Sequence, residues 1–220
     1  MSTAPPAVTL AALNRMDRTA FVGVLGGVFE HSPWVPEAAW SGVPFSGVAA
    51  LHEAMVAVVR SSSPQRRLDL IRAHPDLAGK AARGRAMTAN SVAEQAGAGL
   101  LSLGDDEYDR FLRLNAGYRD RFGFPFIIAV RRHDKASLIA AFERRLANPR
   151  AVEIETALGE IFTITRLRLE ALFDAGQCTS GNTKGSSGRD RCASNRLPSG
   201  HGGRRQRASP ASQLHSNRWP

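Results

Sequence analysis

Over its first 174 residues the chain repeats apolar side chains every three or four positions, the period of an amphipathic helix. Phe21, Val22, Leu25, Val28 and Phe29 set this pattern between Arg18 and Glu30. Val48, Leu51, Met55, Val58 and Val59 carry it through a second helix capped by Ser46. Ser63-Pro64 has the form of an N-cap followed by proline at the first helical position. The helix it opens carries Leu68, Leu70 and Ile71 and should end near His74, because Pro75 disfavours helical geometry in the residue before it. Ser91 opens another, a longer one runs from about Asp105 to Arg121, and Asp134 caps a segment reaching about Leu146. Asn148-Pro149 breaks the pattern before a last helix ending near Phe173. Only Phe124 to Val130 reads as extended, and one such stretch makes no sheet. The expected fold class is all-α, a single compact multi-helix domain over residues 8–174 behind a flexible N-terminus, residues 1–7.

Past Ala175 the pattern stops. Gly, Ser, Arg, Asn and Pro dominate, and large apolar side chains nearly vanish. Such a segment cannot bury enough apolar surface to offset its ordering entropy, so residues 175–220 are expected to be a disordered basic tail. The tail also explains the charge. Of the chain's net +9, eight Lys/Arg and one acid fall in it, leaving 21 basic and 19 acidic residues in the body, about +2. A nearly neutral body gives no argument for a specific nucleic-acid partner. Cys178 and Cys192 both lie in the tail, so the body has no thiol nucleophile, disulfide framework or thiolate metal site. No run of about 18 apolar residues suggests a membrane span, and Met1 to Pro6 lacks the pattern of a secretory signal, so a cytoplasmic protein is expected.

Chemistry-bearing residues cluster in a few short segments. His74-Pro75-Asp76-Leu77 puts an imidazole at a helix C-terminus, where the helix dipole favours its charged form and the proline fixes the chain's exit. The bland alternative is a histidine satisfying the last carbonyls of its helix. Ser91-Val92-Ala93-Glu94-Gln95 has the spacing of a capping box, which alone would account for Ser91 and Glu94. A helix N-terminus beside Gln95 also presents N–H groups suited to an anionic ligand, and the two readings are compatible. Phe122-Gly123-Phe124-Pro125-Phe126-Ile127-Ile128 reads as a buried crossing whose backbone groups need partners. Arg168 falls on the apolar stripe with Ile161, Ile164 and Thr165, while Arg166 falls nearer the flank. An inward arginine calls for an anion, with a snorkelling side chain as the alternative. His133-Asp134 brings to mind the metal sites of helical phosphohydrolases, but Asp134 is better read as an N-cap and nothing supplies metal-ligand spacing.

These motifs, with Leu167-Arg168-Leu169, stand in the order found in one family. The body, roughly residues 8–174, resembles 2-oxo-4-hydroxy-4-carboxy-5-ureidoimidazoline (OHCU) decarboxylase, which forms (S)-allantoin in the last step from urate. The tail has no counterpart there. The resemblance implies an all-helical carboxy-lyase that needs no cofactor and no metal and works as a homodimer on a small-molecule substrate. It implies His74 as the catalytic imidazole and Glu94 as its orienting carboxylate partner. It implies that Ser91, Gln95 and Arg168 bind the substrate's ureido, ring and carboxylate groups. Pro75 and the backbone around Phe126, Ile127 and Ile128 would complete the pocket. The competing readings are an anion- or nucleic-acid-binding protein acting through its basic tail, and a metal-dependent phosphohydrolase.

Overall fold

The computed structural model describes residues 8–78 and 88–177, with side chains to residue 174. Among these residues the chain is all-α, with nine α-helices, two 3-10 turns and no strand. The helices are α1 (Leu10–Leu13), α2 (Arg18–Leu25), α3 (Trp34–Ala39), α4 (Val48–Ser61) and α5 (Pro64–Arg72). They continue as α6 (Ala89–Gly97), α7 (Asp105–Phe122), α8 (Lys135–Leu146) and α9 (Arg150–Gln177). No described helix is long and apolar enough to cross a membrane. Residues 1–7 and most of the 175–220 segment lie outside the described residues.

Local chemistry starts and stops these helices. Asp17, Ser63, Thr88 and Asp134 each accept a backbone N–H of the first turn with the side chain, and Pro64 sits at the first position of α5. Three acids open α7, and the left-handed Gly123 (φ 78°) closes it. The sequence reading of a helix through Glu30 is corrected: α2 ends at Leu25, and Gly26-Gly27 lead into a turn carrying Val28, Phe29 and Glu30. Two successive glycines each lose about 1 kcal/mol in a helix relative to alanine, enough to end one whose apolar pattern continues. Gly47, not Ser46, takes the N-cap position of α4. The last helix continues past Phe173 to Gln177.

The 28-residue α9 spans about 42 Å at 1.5 Å per residue and packs against α4 and α5. Its inward stripe holds Ala157, Leu158, Ile161, Ile164 and Leu169, and polar Glu153, Thr165 and Arg168 are buried in the same stripe. The α2, α3 and α4 helices pack in succession, and α7 packs on α8. Between α7 and α8 the Phe124–Ala129 segment is irregular, ending in the 3-10 turn Val130–Arg132 that packs against α6. An aromatic cluster fixes its path. Tyr118 meets Phe122, Phe124, Phe126 and Phe142 at centroid distances of 4.6–6.0 Å, and Phe126 stacks on Phe142 at 3.7 Å. Phe142→Ala should therefore destabilise the protein by about 3–5 kcal/mol in urea unfolding. A loss under about 1 kcal/mol would mean that the cluster does not support this segment.

Candidate active site

His74 lies one residue beyond Ala73, the C-cap of α5, and is 5% exposed. Its Nδ1–H donates to the Leu70 carbonyl at 3.0 Å, so the other nitrogen, Nε2, carries the lone pair. That Nε2 is buried and has no protein partner among the described residues, and His74 lines a cleft enclosing about 360 Å³ including its mouth. Burial pushes the imidazole pKa down to about 4, against the Leu70 hydrogen bond and the charge of Glu30, which both raise it. The sequence reading of a helix dipole favouring imidazolium is thus overturned, because desolvation outweighs a partial dipole charge. The ring is neutral at pH 7. Its orienting partner is also different from the one expected, being a backbone carbonyl rather than Glu94.

The segment after His74 is held along one face of α7. Asn115 donates to the Leu77 carbonyl at 2.8 Å, and Arg119 donates to both Asp76 oxygens at 2.9 and 3.2 Å. One turn further, the Gly123 carbonyl accepts from Arg72 Nε at 3.1 Å. Positions 115, 119 and 123 are four residues apart, so a single helix face grips the chain before and after His74. Gln95 adds to this grip, its Oε1 accepting from the Ala78 N–H at 2.9 Å and its Nε2 donating to the Asp76 carbonyl at 3.3 Å. Ala78 has φ 50°, a conformation that needs such support in a residue with a Cβ. Pro75 and Gln95 both line the cleft.

Ser91 does not cap its helix. Thr88 does, which puts Ser91 on the first turn of α6, pointing inward. Glu94 is not the second half of a capping box either, because Arg168 takes its carboxylate with two bonds of 2.8 Å, from Nε and Nη2. The remaining donors of Arg168 reach Glu30 (2.9 Å), the Val28 carbonyl (3.2 Å) and Ser91 Oγ (3.2 Å). All five guanidinium N–H groups therefore have protein acceptors. Burial alone would lower the Arg168 pKa, but its bonds with Glu94 and the charges of Glu94 and Glu30 hold it above the ordinary value. The alternative inward candidate is settled by position: Arg166 is 64% exposed and pairs with Glu170, whereas the Arg168 side chain is 4% exposed. Ser91, Glu94 and Arg168 all line the cleft with His74.

Sequence reasoning missed Glu30. Its side chain is 0% exposed, and it accepts from Ser91 Oγ at 3.0 Å and Thr88 Oγ1 at 2.6 Å as well as from Arg168. Burial pushes its pKa up, and the Thr88 bond and the Arg168 charge more than reverse this, so it is held below the usual carboxylate value. The available signal was an acid closing an apolar run just after Gly26-Gly27. Phe126, Ile127 and Ile128 also line the cleft, as expected. A second buried ion pair supports this segment: Arg145 donates to Glu153 from Nε at 2.8 Å and to the Ile127 carbonyl from Nη1 at 2.7 Å. Tyr118 also donates to Glu153, and the Arg145 guanidinium lies over the Phe126 ring at 4.5 Å. Asp134 accepts from the Ser137 N–H at 2.8 Å as the N-cap of α8. Among the described residues no group of three or more His, Cys, Asp or Glu is placed to hold a metal ion.

This cleft can be compared with known proteins. Residues 14–170 match the family model described as OHCU decarboxylase. The chain belongs to the OHCU decarboxylase family. A 2-oxo-4-hydroxy-4-carboxy-5-ureidoimidazoline decarboxylase from Haloferax volcanii is 45% identical over 168 residues, 76% of this chain and 98% of that one. Among solved structures, an (S)-allantoin synthase matches with a TM-score of 0.61 and 33% identity, covering 76% of this chain and 55% of that one. An OHCU decarboxylase crystallised in the presence of (S)-allantoin shares the fold, with a TM-score of 0.55 and 21% identity over 72% of this chain and 99% of that one. The match to the OHCU decarboxylase model contains the whole cleft lining, from His74 to Arg168, and Glu30 behind it.

The pKa of His74 has a consequence for stability. Unfolded, the imidazole titrates near 6.5, and folded near 4. Between those values the unfolded chain binds the extra proton, so stability rises with pH across the window and His74 adds no slope outside it. Urea unfolding between about pH 4 and 7 should show this slope, and His74→Asn should flatten it. An unchanged slope in the variant would show that His74 titrates normally when folded.

Proposed function

We propose that this chain is a carboxy-lyase that decarboxylates OHCU to (S)-allantoin and CO2, with His74 as its acid/base residue and Glu94 as the carboxylate facing the ligand. The observation that carries the reading is the neutral His74 ring, whose unpartnered Nε2 is buried in the cleft of a chain belonging to this family. A lone-pair nitrogen with its other edge fixed on a carbonyl is a base waiting for an O–H or N–H.

The substrate's name places hydroxyl and carboxylate together on ring position 4, next to position 5 with its ureido group. When the bond from C4 to the carboxylate breaks, its electron pair forms a C4–C5 double bond. The ring C=N at C5 takes up a proton and becomes N–H. The resulting enol loses its hydroxyl proton and gains one at C5, which gives the C4 carbonyl of allantoin. Atoms balance with CO2 as the second product and one proton consumed. In this scheme His74 Nε2 accepts the C4 hydroxyl proton, since its Nδ1–H is committed to Leu70.

The other residues act by position. Glu94, fixed in the Arg168 fork, offers carboxylate oxygens to ureido and ring N–H groups. Ser91 and Gln95 set the same wall, Gln95 chiefly through the Asp76–Ala78 backbone. The backbone N–H groups of Ile127 and Ile128, which meet no protein acceptor among the described residues, suit the ring carbonyl. Arg168, with every donor engaged, leaves the substrate carboxylate without a dedicated cation. That favours departure as neutral CO2 over tight binding of the anion. The proposal includes a homodimer, as the sequence resemblance implies, and action in the cytoplasm, as the sequence pattern led us to expect.

The substrate can be generated in place from urate with urate oxidase and 5-hydroxyisourate hydrolase, and allantoin followed by circular dichroism. The full chain should give optically active (S)-allantoin faster than the spontaneous reaction. His74→Asn should lower turnover by about a hundredfold or more, the scale of lost acid/base catalysis. Near-native turnover in that variant would remove His74 from the mechanism, and a wild-type rate equal to the background would remove the activity itself.

A further inference from the structure

Burying one carboxylate against Arg168 would be enough to neutralise it, and Glu94 does that with a two-bond fork. The chain buries a second one. Glu30 is fully desolvated, which is costly for an ion that charge neutrality does not require. Two carboxylates on one guanidinium leave the group at a net charge of minus one. The backbone is bent to achieve this, with His31 following at φ 46°, a conformation uncommon for a residue with a side chain. Glu30 then accepts from three donors on two other elements: Thr88 and Ser91 of the α6 N-terminus, and Arg168 of α9.

The division of the Arg168 fork is informative. Its Nη1 is taken by Glu30 and the Val28 carbonyl, both from the turn after α2. The opposite edge, Nε with Nη2, is thereby aimed at Glu94. Ser91 bridges the two carboxylates' territory, donating to Glu30 and accepting from Arg168 Nη2. A guanidinium gripped along one edge cannot rotate to offer that edge to a ligand.

We propose that Glu30 is a positioning residue for the decarboxylation proposed above: by holding the Nη1 edge of Arg168 it turns the other edge onto Glu94, so that the ligand meets the Glu94 carboxylate and not the arginine cation. The inference rests on that reading of the site. Glu30 does not line the cleft and acts through Arg168 and Ser91. Its charge also supports protonation of His74, which gives its removal a signature that partial unfolding does not have.

The test uses the full chain with Glu30→Gln, which keeps the shape and removes the charge. Turnover in the coupled allantoin assay should fall about ten- to a hundredfold. The acid limb of the kcat/KM profile should move to lower pH, because the imidazole loses an anion that favours its charged form. In the ligand-free protein, the Arg168 Nε–H resonance should broaden or exchange faster in the variant. Native turnover, an unmoved limb and an unchanged resonance would overturn the proposal. A wild type with no activity would refute the decarboxylase reading, and the Arg168 resonance would still decide whether Glu30 holds the guanidinium. If Glu30→Gln does not fold, Thr88→Val removes one of the three anchors of Glu30. It should show a several-fold loss with the limb moved the same way, and Thr88→Ser should restore both. Wild-type kinetics in Thr88→Val would then count against the proposal.

Discussion

Arg168 joins parts of the chain that are far apart in sequence. Its guanidinium binds Glu94 on α6, Glu30 and Val28 in the turn after α2, and the Ser91 hydroxyl, from a position well inside α9. Each contact is buried: losing Glu94 or Glu30 changes the charge balance around the guanidinium, and losing the Val28 or Ser91 acceptor leaves a buried N–H unpaired. Breaking one partner of such a network is expected to cost about 3–5 kcal/mol, so the site and the fold are fastened by the same bonds. The cleft is lined from α6, α9 and the α7–α8 connection, and the charge cluster fastens α6 and α9 to each other and to the turn after α2.

The rest of the molecule carries the two remaining walls. His74 sits at a helix end whose following residues are gripped by Asn115 and Arg119 of α7, with Gln95 closing the turn at Ala78. The Phe126–Ile128 wall is irregular backbone held between an aromatic cluster and the Arg145–Glu153 pair. In both places a non-helical stretch lines the cleft and a neighbouring helix takes up its backbone carbonyls. This arrangement lets an all-helical protein present ring edges and peptide groups to a polar ligand.

Helix chemistry was largely legible in the sequence because its signals are local. Ser63-Pro64, Asp134 and the apolar stripe of α9 mark the same elements in the structure. The residues lining the cleft were legible through family resemblance, and the structure brings His74, Ser91, Glu94, Gln95 and Arg168 together. Their partnerships were not legible. Ser91 and Glu94 had capping-box spacing, yet Thr88 three residues earlier took the cap and freed both for tertiary bonds. Glu30 looked like the end of an amphipathic helix, and only the turn after Gly26 sends it inward. The protonation state of His74 went the wrong way because a helix dipole can be read from sequence, whereas the burial that outweighs it cannot.

The cleft presents a neutral imidazole with its Nε2 lone pair free for a ligand proton. The most direct test is a nitrogen-15 NMR titration of histidine-labelled protein, with His74 assigned by its Asn variant. The spectra should show the Nδ1–H tautomer at neutral pH, no protonation until pH approaches about 4, and a perturbed Nε2 signal when allantoin is added. A His74 that is imidazolium at pH 6, or that carries its proton on Nε2, would contradict it.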